Sequence, residues 1–374
     1  MYTTKGSCGT CLGLSISCSS PLLQPFQHWE HLETKRLLHN LLLVSTLYDK
    51  LIHLRNIEAA SEDTIALIHT PEYIKDVRTK SGRMEGGYAD EETTFSQYAF
   101  DIASLAVGGT IYAVDNVMQK EINSPYVLCR PPGHHALPDK GMGFCIFNNI
   151  AIATKYLMRN YSNEIKKVAI VDYDVHHGNG TQNAFYDDPN VLFISIHQDS
   201  NFPTNSGIAD ENEIGGQGAE GSIINIPLPP GSGSGAYKCA IDTIGIPSLQ
   251  AFRADFMLVS SGFDASYADP LSAMKLSSQD FRSLASLVKF SEQCHSCQGR
   301  IVFVHEGGYS ESYAPFCGAA VIEEMLGLKY PQDCIQDPFL SEVQNWGGHE
   351  LQEHQRKAVD DVAVLHGLSK STKM

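Results

Sequence analysis

Six short apolar runs, separated by longer segments with helical spacing, constrain most strongly how this chain can fold. Four to six apolar residues in a row are typical of a buried strand, and strands that alternate with helices are typical of a parallel sheet with crossover helices. The pattern therefore predicts an α/β fold. The six runs are residues 126–129, 168–171, 191–196, 223–226, 256–259 and 301–304. Apolar residues at helical spacing predict helices within 34–51 and 101–118.

The length of 374 residues allows one large domain, and no linker or internal repeat divides the chain. Residues 1–25 are rich in Ser, Gly, Cys and Thr and show no periodicity. We therefore expect an irregular N-terminal arm over residues 1–25 and one domain over residues 26–374.

The ten cysteines include two CxxC pairs, Cys8/Cys11 and Cys294/Cys297. A CxxC pair is compatible with zinc or redox chemistry, but neither pair has the flanking His or Cys that would complete a structural zinc site. The apolar neighbours of Cys129, Cys145 and Cys317 predict buried free thiols, which persist in a reducing compartment. Because the chain shows neither a signal-peptide pattern nor a membrane-length apolar segment, the cytoplasm is the expected location, without a membrane partner.

The formal net charge of −16 and the pI of about 5.3 determine which charged partners this chain attracts. An acidic molecule repels polyanions, so we expect no direct binding to nucleic acid. The same charge suits cationic partners such as lysine-rich tails or polyamines.

The densest cluster of chemically competent residues directly follows the run 168–171. Alternation places Asp172, Asp174 and His176 on one side of the chain, and Asp264 follows the run 256–259. The carboxyl ends of parallel strands meet at one edge, where α/β sheets bind their ligands. An Asp/His/Asp set leaves a coordination position open for water or substrate, as in a catalytic zinc site.

Two further clusters also follow strands. His134 and His135 come after the run 126–129, where one imidazole can stay cationic and the other neutral. Tyr309 follows the run 301–304 and can donate a hydrogen bond to a developing oxyanion. A single Asp or His after a strand more often caps a helix or bonds a loop, but four such sets at one sheet edge favour a metal hydrolase.

At these residues the chain resembles the arginase/deacetylase superfamily, specifically class II histone deacetylases and bacterial histone deacetylase-like amidohydrolases. The resemblance runs from about 31–36 to about residue 327. It implies a single-domain arginase/deacetylase fold with a central, mostly parallel sheet flanked by helices on both faces. It also implies one catalytic zinc ion and one or two structural potassium ions.

The resemblance assigns a role to each matched residue. Asp174, His176 and Asp264 would bind zinc, and His134 and His135 would flank the attacking water. Asp172 would orient His134, whereas Asn179, at a position where class I enzymes carry Asp, would leave His135 neutral as the general base. Tyr309 would stabilise the oxyanion. One potassium ion would lie near Asp172, Asp174, His176, Ser195 and Ile196, and a second near the carbonyls of Phe185, Asp188 and Val191.

The resemblance also implies a substrate tunnel. Phe144 and Phe202 would face each other across it, Gly143 would let the backbone approach the amide, and Leu271 would line the mouth. Without the family, a place in the core would be the better interpretation of both rings. In the acidic loop 86–92, Glu91 is the first choice and Asp90 the second for a rim contact to substrate, and a solvated loop is the alternative.

The implied function is zinc-dependent removal of acetyl or longer acyl groups from lysine side chains of proteins or peptides. An acetylpolyamine amidohydrolase is the nearest alternative, but the loop after Gly87 has no long insertion that would narrow the entrance. A non-catalytic acyl-lysine binding module would lack the tyrosine, and an arginase would need a second set of metal ligands. Bacterial relatives form tetramers, so a homo-oligomer also follows from the resemblance.

Overall fold

A computed structural model describes residues 2–4, 7–11, 28–30, 32–203 and 209–368 of the chain. Its centre is a nine-stranded sheet, and a two-stranded sheet lies apart from it. The strands are β1 (Tyr2–Thr4), β2 (Ser7–Cys11), β3 (Ile52–His53), β4 (Gly87–Tyr88), β5 (Thr94–Phe95), β6 (Tyr126–Val127), β7 (Val168–Asp172), β8 (Val191–Gln198), β9 (Ile223–Leu228), β10 (Phe256–Ser261) and β11 (Ile301–His305).

The helices occupy the segments between these strands and the C-terminal part of the chain. They are α1 (Glu33–Val44), α2 (Glu62–Ile65), α3 (Pro71–Ser81), α4 (Ala99–Met118), α5 (Asn149–Asn160), α6 (Asn179–Phe185), α7 (Ser234–Ala240), α8 (Ile246–Phe252), α9 (Ser278–Leu284), α10 (Leu287–Gln293), α11 (Ala314–Met325), α12 (Leu340–Gln344) and α13 (Glu353–Leu365). A 3₁₀ turn covers Tyr48–Lys50, and a π-helical turn covers Ile241–Gly245.

The order of strands in the large sheet is β1-β3-β2-β6-β11-β10-β7-β8-β9, and every pairing from β2 to β9 along this order is parallel. All six apolar runs therefore form strands of one parallel sheet, as predicted. Helix α4 confirms the prediction within 101–118. The prediction within 34–51 is confirmed in part, because α1 ends at Val44 and Ser45 has an extended backbone.

Helices cover both faces of the sheet because its strands are apolar on both sides. Along β7, Ala169 and Val171 pack into one core with α1, α7, α11 and α13, whereas Val168 and Ile170 pack into a second core with α4 and α5. Successive side chains of a strand point to opposite faces, so an uninterrupted apolar run fills both cores. The predicted single-domain architecture is confirmed.

The expectation of an irregular arm over residues 1–25 is wrong for the part of that segment that the structure describes. Strand β2 pairs in parallel with β6, with Thr10 opposite Tyr126, and β1 pairs antiparallel with β2. An edge strand offers unpaired N–H and C=O groups to any segment, and this pairing requires no apolar periodicity. Residues 1, 5–6 and 12–25 lie outside the described residues.

None of the described helices combines the length and the apolar character that a membrane span requires.

Candidate active site

Four strands of the parallel sheet end at the same place and bring the predicted clusters together. Asp172 is the last residue of β7, and its cross-strand neighbours are Ser260 of β10 and Ser195 of β8. The histidine pair follows β6, and Asp174 and His176 follow β7. Asp264 follows β10, and Tyr309 follows β11. The carboxyl edge of the sheet is therefore where these side chains meet.

Asp174, His176 and Asp264 form a buried cluster in which one ligand atom from each residue lies within 4.8 Å of the others. Nδ1 of His176 is 3.2 Å from Oδ1 of Asp174 and 3.1 Å from Oδ2 of Asp264. Backbone N–H groups hold the outer carboxylate oxygens, with Gly307 donating to Asp174 at 2.8 Å and Val175 to Asp264 at 2.8 Å. Two buried carboxylates need a compensating positive charge, which a divalent cation bound to this cluster would supply.

The backbone around this cluster is shaped to leave room for it. A Cβ on Gly262 would overlap the carboxylate of Asp174, and a Cβ on Gly307 would overlap that of Asp264. Glycine is required at both positions because the chain passes directly against the carboxylates. The donor set, its burial and this close approach fit a metal ion with two oxygen ligands and one nitrogen ligand.

Replacing Gly262 by Ala is expected to weaken metal binding by about 10- to 100-fold, the usual effect of disturbing groups that orient metal ligands. The new methyl group must displace the carboxylate of Asp174. Metal affinity measured by competition with a chelator tests this. Gly347→Ala is the matched control, because its Cβ would meet nothing within 4 Å. Equal affinity in the two variants would contradict the prediction.

The adjacent histidines have different partners. Nδ1 of His134 is 3.0 Å from Oδ2 of Asp172, whereas Nδ1 of His135 is 2.7 Å from Oδ1 of Asn179. Burial disfavours a charge on His134, but the carboxylates of Asp174 and Asp172 outweigh burial and raise its pKa to about 10. Burial, with the charges on His134 and His176, lowers the pKa of His135 well below its ordinary value. These opposite shifts favour a cation at His134 and a neutral imidazole at His135.

Tyr309 is anchored by Asp269, for which the sequence predicted no role. Its backbone N–H donates to Oδ2 of Asp269 at 2.7 Å, and the other oxygen of Asp269 accepts from the N–H of Leu271 at 2.9 Å. One buried carboxylate thus joins the tyrosine segment to the loop at the mouth of the site. Burial raises the pKa of Tyr309 well above its ordinary value, so its hydroxyl keeps its proton.

A cavity of about 440 Å³ opens directly over these groups. Its depth is lined by His135, His176 and Tyr309, and its walls by Phe144 and Phe202. The ring of Phe202 lies 4.9 Å from His135, and the ring of Phe144 lies 5.7 Å from Tyr309, both in edge contacts. Gly143 has φ of +53°, and a Cβ there would overlap the His135 ring, so glycine is needed at this wall. The volume of this cavity and its apolar walls are typical of a pocket that binds a small molecule or a single side chain.

The sequence profile of the histone deacetylase domain matches residues 28–325 of this chain. The chain belongs to the histone deacetylase family.

Curated relatives and a solved structure agree with that membership. A histone deacetylase-like amidohydrolase of Pseudomonas aeruginosa is 40% identical over 342 residues, which cover 91% of this chain and 87% of the relative. A probable deacetylase of Archaeoglobus fulgidus is 37% identical, with 78% of each chain covered. The crystal structure of the HDA15 HD domain superposes with a TM-score of 0.81 at 26% identity, covering 96% of this chain and 95% of that one.

The rim of the site differs from the expectation for this histone deacetylase-family chain. Glu92 lines the cavity, together with His28, Trp29 and Leu271, whereas the first choice was Glu91. Asp90, the second choice, accepts hydrogen bonds from the backbone N–H groups of Glu92 and Thr93, at 3.1 and 2.7 Å. The carboxylate of Asp90 therefore shapes the turn, and the turn directs Glu92 to the cavity. Sequence spacing alone does not show which of three consecutive acids faces inward.

Glu306 is a further residue of the site whose role was not predicted from the sequence. It follows β11 and is fully buried, and its Oε2 accepts from the N–H groups of Gly133 and His134 at 2.6 and 3.1 Å. The carboxylate thus holds the backbone of the histidine pair in place. A carboxylate directly after a buried strand was the only signal, and it does not reveal a backbone partner about 170 residues earlier in the chain.

The residues of the two expected potassium sites lie in two separate places. Asp172, Ser195 and Ile196 are buried side by side on β7 and β8, next to the cluster of Asp174 and His176. Phe185 is the last residue of α6, and Asp188 lies in the turn between α6 and β8. Their carbonyls accept from the N–H groups of Asp188 and Val191 at 3.0 and 3.1 Å.

Proposed function

We propose that this member of the histone deacetylase family is a zinc-dependent hydrolase that removes acetyl or longer acyl groups from lysine side chains of proteins or peptides. The observation that carries the proposal is the cavity. Its depth brings together a metal-ligand cluster, a neutral imidazole and a tyrosine, below two aromatic walls. These are the groups that amide hydrolysis needs. The aromatic walls above them form a slot for an extended side chain.

Asp174, His176 and Asp264 would hold the zinc ion, with a coordination position left open. Bound zinc supplies a Lewis acid, which polarises an acyl carbonyl and makes water more acidic. One zinc ion is proposed. Backbone and side-chain oxygens of Asp172, Asp174, His176, Ser195 and Ile196 would hold one structural potassium ion, and carbonyls of Phe185, Asp188 and Val191 a second.

His135 is the proposed general base, and its contacts select the nitrogen that acts. Nδ1 lies 2.7 Å from the amide oxygen of Asn179, which can only accept, so Nδ1 carries the proton. Nε2 then has the free lone pair, and His135 lines the cavity. A neutral imidazole accepts a proton from the attacking water there, and a protonated histidine of the pair returns a proton to the leaving amine. His134, held by Asp172, supplies a fixed positive charge.

Tyr309 donates its hydroxyl proton in a hydrogen bond to the oxygen on which negative charge develops. Asp269 fixes its backbone, and the edge contact with Phe144 limits where the ring can lie. The rings of Phe144 and Phe202 pack on the methylene chain of the substrate and exclude water from it. Products are a carboxylate and a free amine.

The rim favours a peptide over a polyamine. Glu92 is the acidic member of the lining, and Trp29 beside it is 53% exposed, which suits contact with a peptide backbone and its flanking side chains. A polyamine carries further ammonium groups along its chain. A rim with several acidic residues would bind those groups better than a rim with one. Seven of the cysteines are free thiols, namely Cys129, Cys145, Cys239, Cys294, Cys297, Cys317 and Cys334, which supports a reducing location such as the cytoplasm.

Hydrolysis of a matched acetyl-lysine peptide, a longer-acyl peptide and an acetylpolyamine by zinc-loaded protein tests the proposal. We expect turnover of a peptide, lost in Tyr309→Phe, and the two peptides rank the acyl preference. Turnover of the acetylpolyamine alone would assign the polyamine activity instead. Tight peptide binding without turnover of any substrate would indicate a binding module.

Replacing Asn179 by Asp is expected to move the acidic limb of the pH profile upward. A carboxylate 2.7 Å from Nδ1 of His135 favours the imidazolium and so raises the pKa of the base. The active form is neutral, so activity is lost at a higher pH than in the wild type as pH falls, by about one unit or more. The pH dependence of kcat/KM measures this, with the uncharged Asn179→Gln as control. An acidic limb that stays in place would argue against His135 as the base.

A further inference from the structure

Cys294 and Cys297 lie in the connection between α10 and β11, at the end of the sheet away from the active site. The N–H of Gln298 donates to the carbonyl of Cys294 at 2.9 Å, which closes the turn. A turn closed by such a bond holds Cα atoms three residues apart at about 5 Å from each other, which lies within the range of about 4.4–6.8 Å between Cα atoms that a disulfide spans. The backbone spacing therefore permits a disulfide between Cys294 and Cys297.

The two thiols differ in exposure. Cys294 is half-buried, whereas Cys297 is fully buried and its thiol donates to the carbonyl of Arg300 at 3.1 Å. Solvent therefore reaches the first sulfur and not the second. A dithiol that reacts in two steps needs this difference in exposure. One sulfur must be accessible to the external disulfide, and the other must lie close enough to attack the mixed disulfide that forms.

The surroundings of the two sulfurs also differ chemically. Sγ of Cys294 lies 3.2 Å from Oγ of Ser296. Although partial burial alone would raise the pKa of Cys294, hydrogen bonds from this hydroxyl and from the N–H groups of Cys297 and Ser296 lower it, and Arg253 adds to this effect. Burial raises the pKa of Cys297 to about 12. The exposed thiol is thus the better nucleophile at neutral pH.

A cavity of about 460 Å³ adjoins the exposed thiol, with Cys294, Phe290 and Arg253 in its lining. The cavity has space for a small molecule beside the sulfur of Cys294, and the guanidinium group of Arg253 can bind a carboxylate of that molecule. A metal is the other ligand that a CxxC pair can take. In the described part of the chain, however, neither thiol belongs to a group of three or more side chains placed to hold an ion.

We propose that Cys294 and Cys297 form a redox-active dithiol that exchanges with anionic low-molecular-weight disulfides. The Cys294 thiolate attacks one sulfur of the disulfide, so that a mixed disulfide forms and the other half leaves as a thiolate. That thiolate takes the proton of Cys297, whose sulfur then attacks Cys294 and expels the second half, which takes a proton from water. The protein loses two electrons and two protons, and the small disulfide becomes two thiols.

Oxidised glutathione is a suitable probe, applied to the metal-loaded full-length protein. After alkylation of the remaining thiols and digestion with trypsin, residues 290–300 form one peptide that contains both cysteines. We expect this peptide to become resistant to alkylation and lighter than the reduced peptide by two hydrogen atoms, and reduction by dithiothreitol to reverse both changes. Cys239 and Cys334, which are also half-buried, report general thiol reactivity.

The variant Cys297→Ser tests the order of the two steps. Serine can donate the same hydrogen bond to Arg300, and without the second thiol the mixed disulfide should accumulate on Cys294. Cys294 should react several-fold faster than Cys239 and Cys334. The proposal is overturned if both thiols of the wild-type peptide stay open to alkylation, or if Cys294 reacts no faster than the two reference cysteines. The wild-type measurement decides even if the variant does not fold.

Discussion

Removal of the metal is expected to abolish amide hydrolysis, and added zinc to restore it. Ligand atoms of Asp174, His176 and Asp264 converge within 4.8 Å, and His176 of this cluster lines the cavity that the proposed substrate would enter. Among the described residues that line the cavity there is no lysine or arginine that could polarise a carbonyl in place of the metal. Turnover before chelation, after chelation and after readdition measures the effect. Full activity in a sample shown by elemental analysis to be metal-free would contradict it.

A second readout of the same prediction is independent of activity. Two buried carboxylates face each other in the metal-free protein, so binding should stabilise the fold by about 4 kcal/mol when zinc is present at a thousand times its dissociation constant. The thermal midpoint should rise accordingly. Asp264→Asn removes one of the two charges while keeping the shape of the side chain, and should lose both the activity and the zinc-dependent rise. A variant that keeps both would remove Asp264 from the ligand set.

Replacing Tyr309 by Phe is expected to lower kcat by about 100- to 1000-fold, equivalent to about 2.7–4 kcal/mol, the usual effect of removing one oxyanion donor. The substitution deletes one oxygen and leaves the ring contact with Phe144 in place. Substrate binding in the ground state should change little, so the loss should fall on kcat rather than on KM. Steady-state kinetics with the best substrate of the panel gives both constants.

Tyr237→Phe is the matched control for this prediction. The hydroxyl of Tyr237 is buried, and it has no hydrogen-bond partner in the described part of the chain. Its removal should therefore leave kcat unchanged and the stability unchanged or slightly higher. Equal kcat values for Tyr309→Phe and the wild type would exclude the oxyanion role of Tyr309.

Much of the candidate site follows from the sequence because its residues directly follow strands. An apolar run such as 168–171 identifies a strand, and a parallel sheet brings the carboxyl ends of its strands to one edge. Asp174, His176, Asp264 and Tyr309 could therefore be grouped before their distances were known. The expectation that His135 is neutral came instead from the resemblance, which placed an amide and not a carboxylate beside it.

The supporting contacts did not follow from the sequence. Glu306 and Asp269 act by accepting hydrogen bonds from the backbone of distant segments. Because a backbone N–H is present at every residue except proline, no sequence pattern predicts which one forms such a bond. The same reason explains β1 and β2, which join the sheet through main-chain pairing without an apolar repeat.

The sequence by itself determined the fold class and the chemical groups of the site, because both depend on short local patterns of burial and side-chain type. The tertiary structure decided which of three consecutive acids reaches the cavity, which buried carboxylates hold Tyr309 and His134, and how the edge of the sheet is completed. These outcomes depend on the relative placement of segments that are distant along the chain. Long-range packing and backbone hydrogen bonds set that placement, and local patterns do not encode it.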